Sequence, residues 1–208
     1  IPSGYDNRCQ VIDRNNENLI AVQKRYQLPF KYILSFATFE PRKNLISVIE
    51  AYEEFIKQNP TSPYHLVLAG SPGWEKRALY RRIRNSAVGE KIHLIGFVSE
   101  EDKPGVYNLA SVFVYPSVYE GFGFPPLEAM ACGVPVIVSH SSSLPELVAD
   151  AGILIDPYRP QEIFDAFEAL LKDTELAALL RARGLERATQ FSWARTARET
   201  LELFEGLV

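Results

Sequence analysis

Val112-Phe113-Val114-Tyr115-Pro116-Ser117-Val118-Tyr119-Glu120-Gly121-Phe122-Gly123-Phe124-Pro125-Pro126-Leu127-Glu128 reads as a strand, a glycine-rich loop and the opening of a helix. Four consecutive apolar residues without alternation suit a strand buried on both faces. Gly121 and Gly123 permit unusual dihedrals and a close approach of the backbone. The tandem prolines fit a first helical turn, where no intrahelical donor is required.

The same alternation runs outward in both directions. Apolar runs at 32–36, 65–69, 92–95, 134–138 and 153–155 mostly end in Gly, Pro or Ser, as strands do. Between them Leu45, Val48, Ile49, Tyr52, Phe55 and Ile56 recur at helical spacing, and Pro160 opens a second stripe of Ile163, Phe164, Phe167, Leu170 and Leu171. Strands alternating with helices predict an α/β fold, a Rossmann-like doubly wound parallel sheet of about six strands with right-handed crossovers. Residues 1–14 read as a linker and 15–190 as the ligand-binding domain. Residues 191–208 read as a final amphipathic helix carrying Trp193, Ala197, Leu201 and Phe204.

Composition narrows the function. The chain has 208 residues, 47% of them hydrophobic and 23% charged, which suits one large globular domain and excludes disorder, collagen and coiled coil. Lys and Arg number 22 against 26 Asp and Glu, a net charge of −4, so general nucleic-acid binding is disfavoured. Cys9 and Cys132 cannot build a disulfide framework, fit a reducing compartment and lack the neighbours of a zinc site. There is no basic-then-apolar leader pattern. The longest apolar stretch, 129–138, is broken by Gly133 and Pro135 and falls short of the ~18 residues of a membrane span. The expectation is a cytoplasmic piece of a longer protein.

Ligands of such a sheet bind at the carboxyl ends of the strands, which selects the loops 38–44, 70–74, 96–99 and 117–126. In the last, free amides at a helix start form an anion cradle, with Glu120 before it and Glu128 expected on the first turn. Carboxylates accept paired hydroxyls, so this pair suits a sugar or ribose; two solvated acids beside a glycine turn are the plain alternative. In the first, Arg42 offers a bidentate fork and Lys43 a point charge, a natural pair for a diphosphate; a solvated helix start is the alternative. Pro126 replaces the third glycine of a dinucleotide fingerprint, and Ser141-Ser142-Ser143 supplies no acid for a ribose, which disfavours NAD. His65 and His93 read as packing or edge residues, and His140 follows a strand. The basic run Lys76, Arg77, Arg81, Arg82 and Arg84 reads as a solvated helix face, with an anionic inner-membrane surface as the sharper reading.

Taken together, these residues resemble the C-terminal, nucleotide-sugar-binding domain of a GT-B glycosyltransferase of family 4. The carrying motifs are Glu120-x7-Glu128 and Glu40-Pro41-Arg42-Lys43-Asn44-Leu45. Leu66-Val67-Leu68-Ala69-Gly70, Gly73-Trp74, Gly96-Phe97-Val98-Ser99, Pro116-Ser117, the run from Glu128 to Val136, Ser143-Leu144-Pro145-Glu146 and Phe191-Ser192-Trp193 support it. The resemblance implies a retaining, metal-independent transferase without a cofactor, acting on a nucleoside-diphosphate sugar. Arg42 and Lys43 would hold the diphosphate and stabilise the charge on the leaving group. Glu120 would bind donor-sugar hydroxyls, and the segment Gly121, Phe122, Gly123 and Phe124 would contact sugar and phosphate through its amides. Glu128 would take the ribose, main chain near Phe97 and Val98 the base, and Thr38 and Leu127 complete the donor site. Ile1-Pro2-Ser3-Gly4-Tyr5-Asp6 resembles an opening strand at an inter-domain hinge, and the tail from Phe191 a helix packing toward an absent N-terminal acceptor domain. The expected partners are the nucleotide sugar, that missing domain and a glycan or lipid-linked acceptor; the fragment alone is expected to bind nucleotide with little transfer. Ala37-Thr38 departs from relatives that carry an Arg before the basic pair. The spelling is mannosyltransferase-like and favours GDP-mannose. A UDP-sugar-dependent glucosyltransferase, a non-catalytic nucleotide-binding or assembly module, and a sugar-nucleotide epimerase or phosphorylase of the same fold are the alternatives.

Overall fold

A computed structural model describes residues 1–73 and 76–207, and of Lys76 the backbone only. Six parallel strands form one sheet: β1 (Tyr32–Phe36), β2 (His65–Ala69), β3 (Ile92–Gly96), β4 (Val112–Tyr115), β5 (Val136–Ser139) and β6 (Gly152–Ile155), in the order β3-β2-β1-β4-β5-β6. The helices are α1 (Glu17–Arg25), α2 (Leu45–Gln58), α3 (Lys76–Arg84), α4 (Lys103–Leu109), α5 (Phe124–Ala131), α6 (Leu144–Val148), α7 (Pro160–Lys172), α8 (Thr174–Ala188) and α9 (Trp193–Glu205). The doubly wound α/β class read from the sequence is the one observed. Strand β5 starts after Pro135 and not at Val134, because Pro135 has no amide to give the ladder and offers only its carbonyl, to Phe113 N at 2.9 Å.

The alternating apolar phases of the strands fill two cores. Leu34, Val67, Phe113, Val136 and Val138 pack toward α1, α4, α5 and α6; Ile33, Leu66, Leu68, Val114 and Ile137 pack toward α2, α3 and α7. Chain order reverses between β1 and β4, which lie side by side in register Ile33 to Val112 and Leu34 to Phe113. The loops leaving these two strands therefore open into one crevice.

The three loops on the other side of the reversal interlock. Ala37 N donates to Ala69 O at 2.9 Å and Gly70 N to Gly96 O at 2.8 Å. Gly70 sits at φ +132°, and a Cβ there would lie 2.0 Å from Ala37 O. The expected opening strand at 1–6 is not formed; the segment instead lies against α9, where Thr196 Oγ1 donates to Pro2 O at 2.7 Å. Because a side chain at Gly70 would be strained and would push on the loop that carries the basic pair, Gly70→Ala should cost about 2 kcal/mol or more and lower the Tm by about 4–8 °C. Thermal unfolding checks this; an unchanged Tm contradicts the interlock.

Candidate functional site

After β1 the chain makes a 3₁₀ turn over Pro41–Lys43, followed by Asn44 in the left-handed region at φ 56° and ψ 36°, a conformation asparagine tolerates. Asn44 Nδ2 donates to Pro157 O at 2.6 Å, and its Oδ1 accepts from Ser47 Oγ at 2.7 Å. Arg42 O accepts from Val118 N at 2.8 Å and from Ser117 Oγ at 3.0 Å, which clasps the turn to the loop after β4. The basic pair is thus set on its own turn, ahead of α2. Lys43 is buried, with a side-chain exposure of 8%, while Arg42 is half exposed at 46%.

Both cations meet Glu120. Its Oε1 accepts from Lys43 Nζ at 2.5 Å, Ser117 Oγ at 2.6 Å, Tyr115 OH at 2.9 Å and Arg42 Nη1 at 3.0 Å. Lys43 also donates to Tyr115 OH at 2.5 Å, and Arg42 Nε to Glu40 Oε2 at 3.0 Å. Burial pushes the Glu120 carboxyl up, but the hydrogen bonds from Lys43 and Ser117 outweigh it and hold it below the usual carboxylate range. Burial pulls the Lys43 ammonium down, with Glu120 acting against that pull. Burial also opposes the charge on Arg42, yet Glu120 holds that guanidinium above its ordinary range. Among the described residues no donor reaches Glu120 Oε2. Ser35 Oγ is the one partnerless buried side-chain polar atom among them, so Oε2 keeps some exposure.

The glycine-rich loop is held from behind. Ser142 Oγ accepts from Glu120 N at 2.9 Å, and Ser143 Oγ donates to Phe122 O at 2.8 Å and Glu120 O at 3.1 Å. Gly123 takes φ +110° against Leu144 and Leu147. A Cβ on Gly121 would meet nothing within 4 Å, so here glycine leaves room and relieves no crowding. The amides of Gly121, Phe122, Gly123 and Phe124 donate to no acceptor among the described residues. Phe122 packs edge-on to Phe191 at 6.0 Å and Phe124 stacks on Trp193 at 6.3 Å, which ties the loop to the start of α9.

Glu128 lies on the second turn of α5, not the first as the sequence suggested, because the helix begins at Phe124. Its Oε2 accepts from Tyr107 OH at 2.9 Å, and Lys103 Nζ lies 3.7 Å from Oε1. Burial raises the Glu128 carboxyl, and Lys103 and Tyr107 only partly offset this. Again one oxygen is tied down and the other open.

The remaining sequence-selected residues fall as follows. Thr38 is exposed, Phe97 is 68% exposed, and Val98 and Leu127 put their side chains in the core, so only their main chains can face a ligand. Trp74 lies outside the described residues. His65 Nδ1 and His93 Nε2 bond each other at 2.8 Å near the opposite ends of their strands, and His140 is exposed. Cys9 and Cys132 are free and buried. Arg82 pairs with Glu53 at 2.7 Å, leaving Arg77, Arg81 and Arg84 exposed on α3. No helix among the described residues is long and apolar enough to cross a membrane, and none of their His, Cys, Asp and Glu side chains gather in threes fit to hold a metal. Tyr115, Ser117, Ser142 and Ser143 were not singled out as site residues by sequence; Tyr115 was legible only as the last residue of its strand, in phase with Phe113. Tyr107 and Lys103, on a different loop and helix, carried no local signal at all.

Residues 17–187 match the family described as "Glycosyl transferases group 1". The O-antigen chain mannosyltransferase B of Escherichia coli is 39% identical over 197 residues, covering 94% of this chain and 51% of that protein. The serotype-specific mannosyltransferase WbdA of Escherichia coli is 36% identical over 210 residues, covering all of this chain and 26% of its own length. The chain thus spans about half of the first relative and about a quarter of the second. Among solved structures, HepE of Anabaena in complex with UDP and glucose superposes with a TM-score of 0.83 at 20% identity, over 97% of this chain and 55% of that one. With the family match across most of its length and the fold agreeing, the chain belongs to the group 1 glycosyl transferases.

Proposed function

We propose that the chain is the donor-binding domain of a retaining glycosyltransferase that moves a hexose, with mannose favoured, from a nucleoside-diphosphate sugar to a glycan or lipid-linked acceptor. The observation that carries this is the matched pair of carboxylates at the β1–β4 crevice, each with one oxygen fixed by the protein and one left open. Two separated hydroxyl-binding ends flanking two cations and a row of free amides suit a sugar, a diphosphate and a ribose. Mannose is favoured because both curated relatives are mannosyltransferases. A UDP-linked hexose is the second reading, since the HepE structure holds UDP and glucose.

In this reading the bond between the anomeric carbon and the β-phosphate oxygen breaks, and negative charge grows on the departing nucleoside diphosphate. Arg42 and the free amides of the glycine loop face that charge as preset donors, without waiting for solvent to reorganise. Lys43, locked to Glu120, serves two ends: it keeps Glu120 ionised for sugar hydroxyls and adds positive potential beside the phosphates. Metal-free transfer rests on this cation pair taking the part that a metal takes elsewhere. The hydroxyl that receives the sugar is supplied by an acceptor held outside this chain.

Isothermal titration calorimetry should show GDP binding more tightly than UDP. Arg42→Ala should weaken GDP about tenfold or more, the worth of a charged hydrogen bond, and leave guanosine nearly unaffected; equal losses for both would remove Arg42 from the diphosphate. Glu128→Gln should weaken both ligands, yet stabilise the free protein. Its carboxyl is raised in the fold, so folding favours the protonated form: wild type is unpenalised below the unfolded pKa and loses stability as pH rises through the folded one. The Tm gain of the Gln variant should therefore be full at neutral pH and vanish near pH ~4. A gain that grows in acid contradicts the burial of this carboxyl.

A further inference from the structure

The first residue of α4 is Lys103, in the turn where a helix dipole disfavours a cation. Its side chain is nonetheless folded inward, with an exposure of only 15%. Three contacts hold it there: Glu100 Oε2 at 2.7 Å, the face of the Phe36 ring at 5.8 Å, and Glu128 Oε1 at 3.7 Å. The last is an ion pair too long to be a hydrogen bond. Phe36 in turn stacks on Tyr107 at 5.6 Å, and Tyr107 donates to the other oxygen of Glu128. The ammonium is thus near enough to favour the carboxylate and too far to occupy its open oxygen.

We propose that Lys103 is a positioning residue that holds Glu128 as an open carboxylate, so that Oε1 can accept the paired hydroxyls of a ribose. This rests on the donor-binding reading above and adds to it a residue from the start of α4. Without Lys103 the surroundings of Glu128 turn against its charge. Glu100 from the preceding loop, Asp6 and Cys9 from the opening segment and Cys132 from the turn after α5 supply no cation, and the hydrogen bond from Tyr107 alone is left to favour the carboxylate. A neutral Glu128 would present a proton where the ribose must find an acceptor. Lys103 touches no part of the ligand in this scheme and acts through Glu128 alone.

The test uses Lys103→Gln and Lys103→Arg, with two readouts. The first needs no ligand: the carboxyl ¹³C resonance of Glu128 is titrated. In Lys103→Gln its midpoint should move up by about one pH unit or more, the size of an opposite charge at this range, and Lys103→Arg should restore it. The second is GDP affinity against pH. In Lys103→Gln the affinity should fall as pH drops, from a higher pH than in wild type, and recover toward the wild-type value in alkaline solution. An unmoved Glu128 midpoint overturns the proposal, and so does a loss of affinity equal at every pH, which would mean that Lys103 meets the ligand itself. If the midpoint moves as expected but Glu128→Gln binds GDP as tightly as wild type, the donor-binding reading fails at Glu128 and the link to ribose with it. The two failures are therefore separable.

Discussion

One oxygen atom organises the site. Glu120 Oε1 draws Arg42 and Lys43 from the turn after β1, Tyr115 from the end of β4 and Ser117 from the loop beyond it. No water-exposed acid would hold so many donors, because surface pairs contribute little and yield to solvent. Burial couples Lys43 to Glu120, so removing either leaves the other charge stranded without solvation, whereas Arg42 stays half in water. The sheet makes this convergence possible, since β1 and β4 are adjacent in space and far apart in sequence. The left-handed Asn44 and the clasp of Arg42 O to Ser117 and Val118 then set the angle at which the cations arrive.

The second carboxylate is built by the opposite logic. Glu120 is held charged by a surplus of donors, whereas Glu128 sits in an apolar wall of Tyr107, Phe36 and the α4–α5 contact with one cation nearby. The two acids of one motif therefore have carboxyls displaced in opposite directions, Glu120 down and Glu128 up. At one end of the crevice hydrogen bonds favour the charged acid; at the other burial disfavours it. A buried acid that the fold itself disfavours is a common mark of a residue kept for function, since stability alone would favour a neutral side chain at this position.

Much of this was legible in the sequence because it is local. Continuous apolar runs punctuated by Gly and Pro gave the strands, and the order of strands and helices gave the doubly wound sheet. That Arg42-Lys43 and Glu120 share one crevice followed from both loops leaving the carboxyl ends of strands; that both cations bond Glu120 itself did not. What stayed hidden is long-range. Tyr107, from α4, has the spacing of any core aromatic, and nothing in the run Glu100-Glu101-Asp102-Lys103 marks Lys103 as folded inward. Neither the missing acid at Ser141-Ser142-Ser143 nor the motif that starts at Ser143 revealed that Ser142 and Ser143 hold the glycine loop from behind. Pattern reading also placed Glu128 a turn too early, because the helix already begins at Phe124, ahead of both prolines.

The central claim is that a nucleoside diphosphate lies along the β1–β4 crevice over the free amides. Backbone amide chemical-shift changes on adding GDP test it most directly. The account predicts that the largest changes fall on Gly121, Phe122, Gly123, Phe124, Arg42 and Lys43. Changes concentrated instead at the opposite edge of the sheet, around His65, Lys91 and the start of β3, would contradict it.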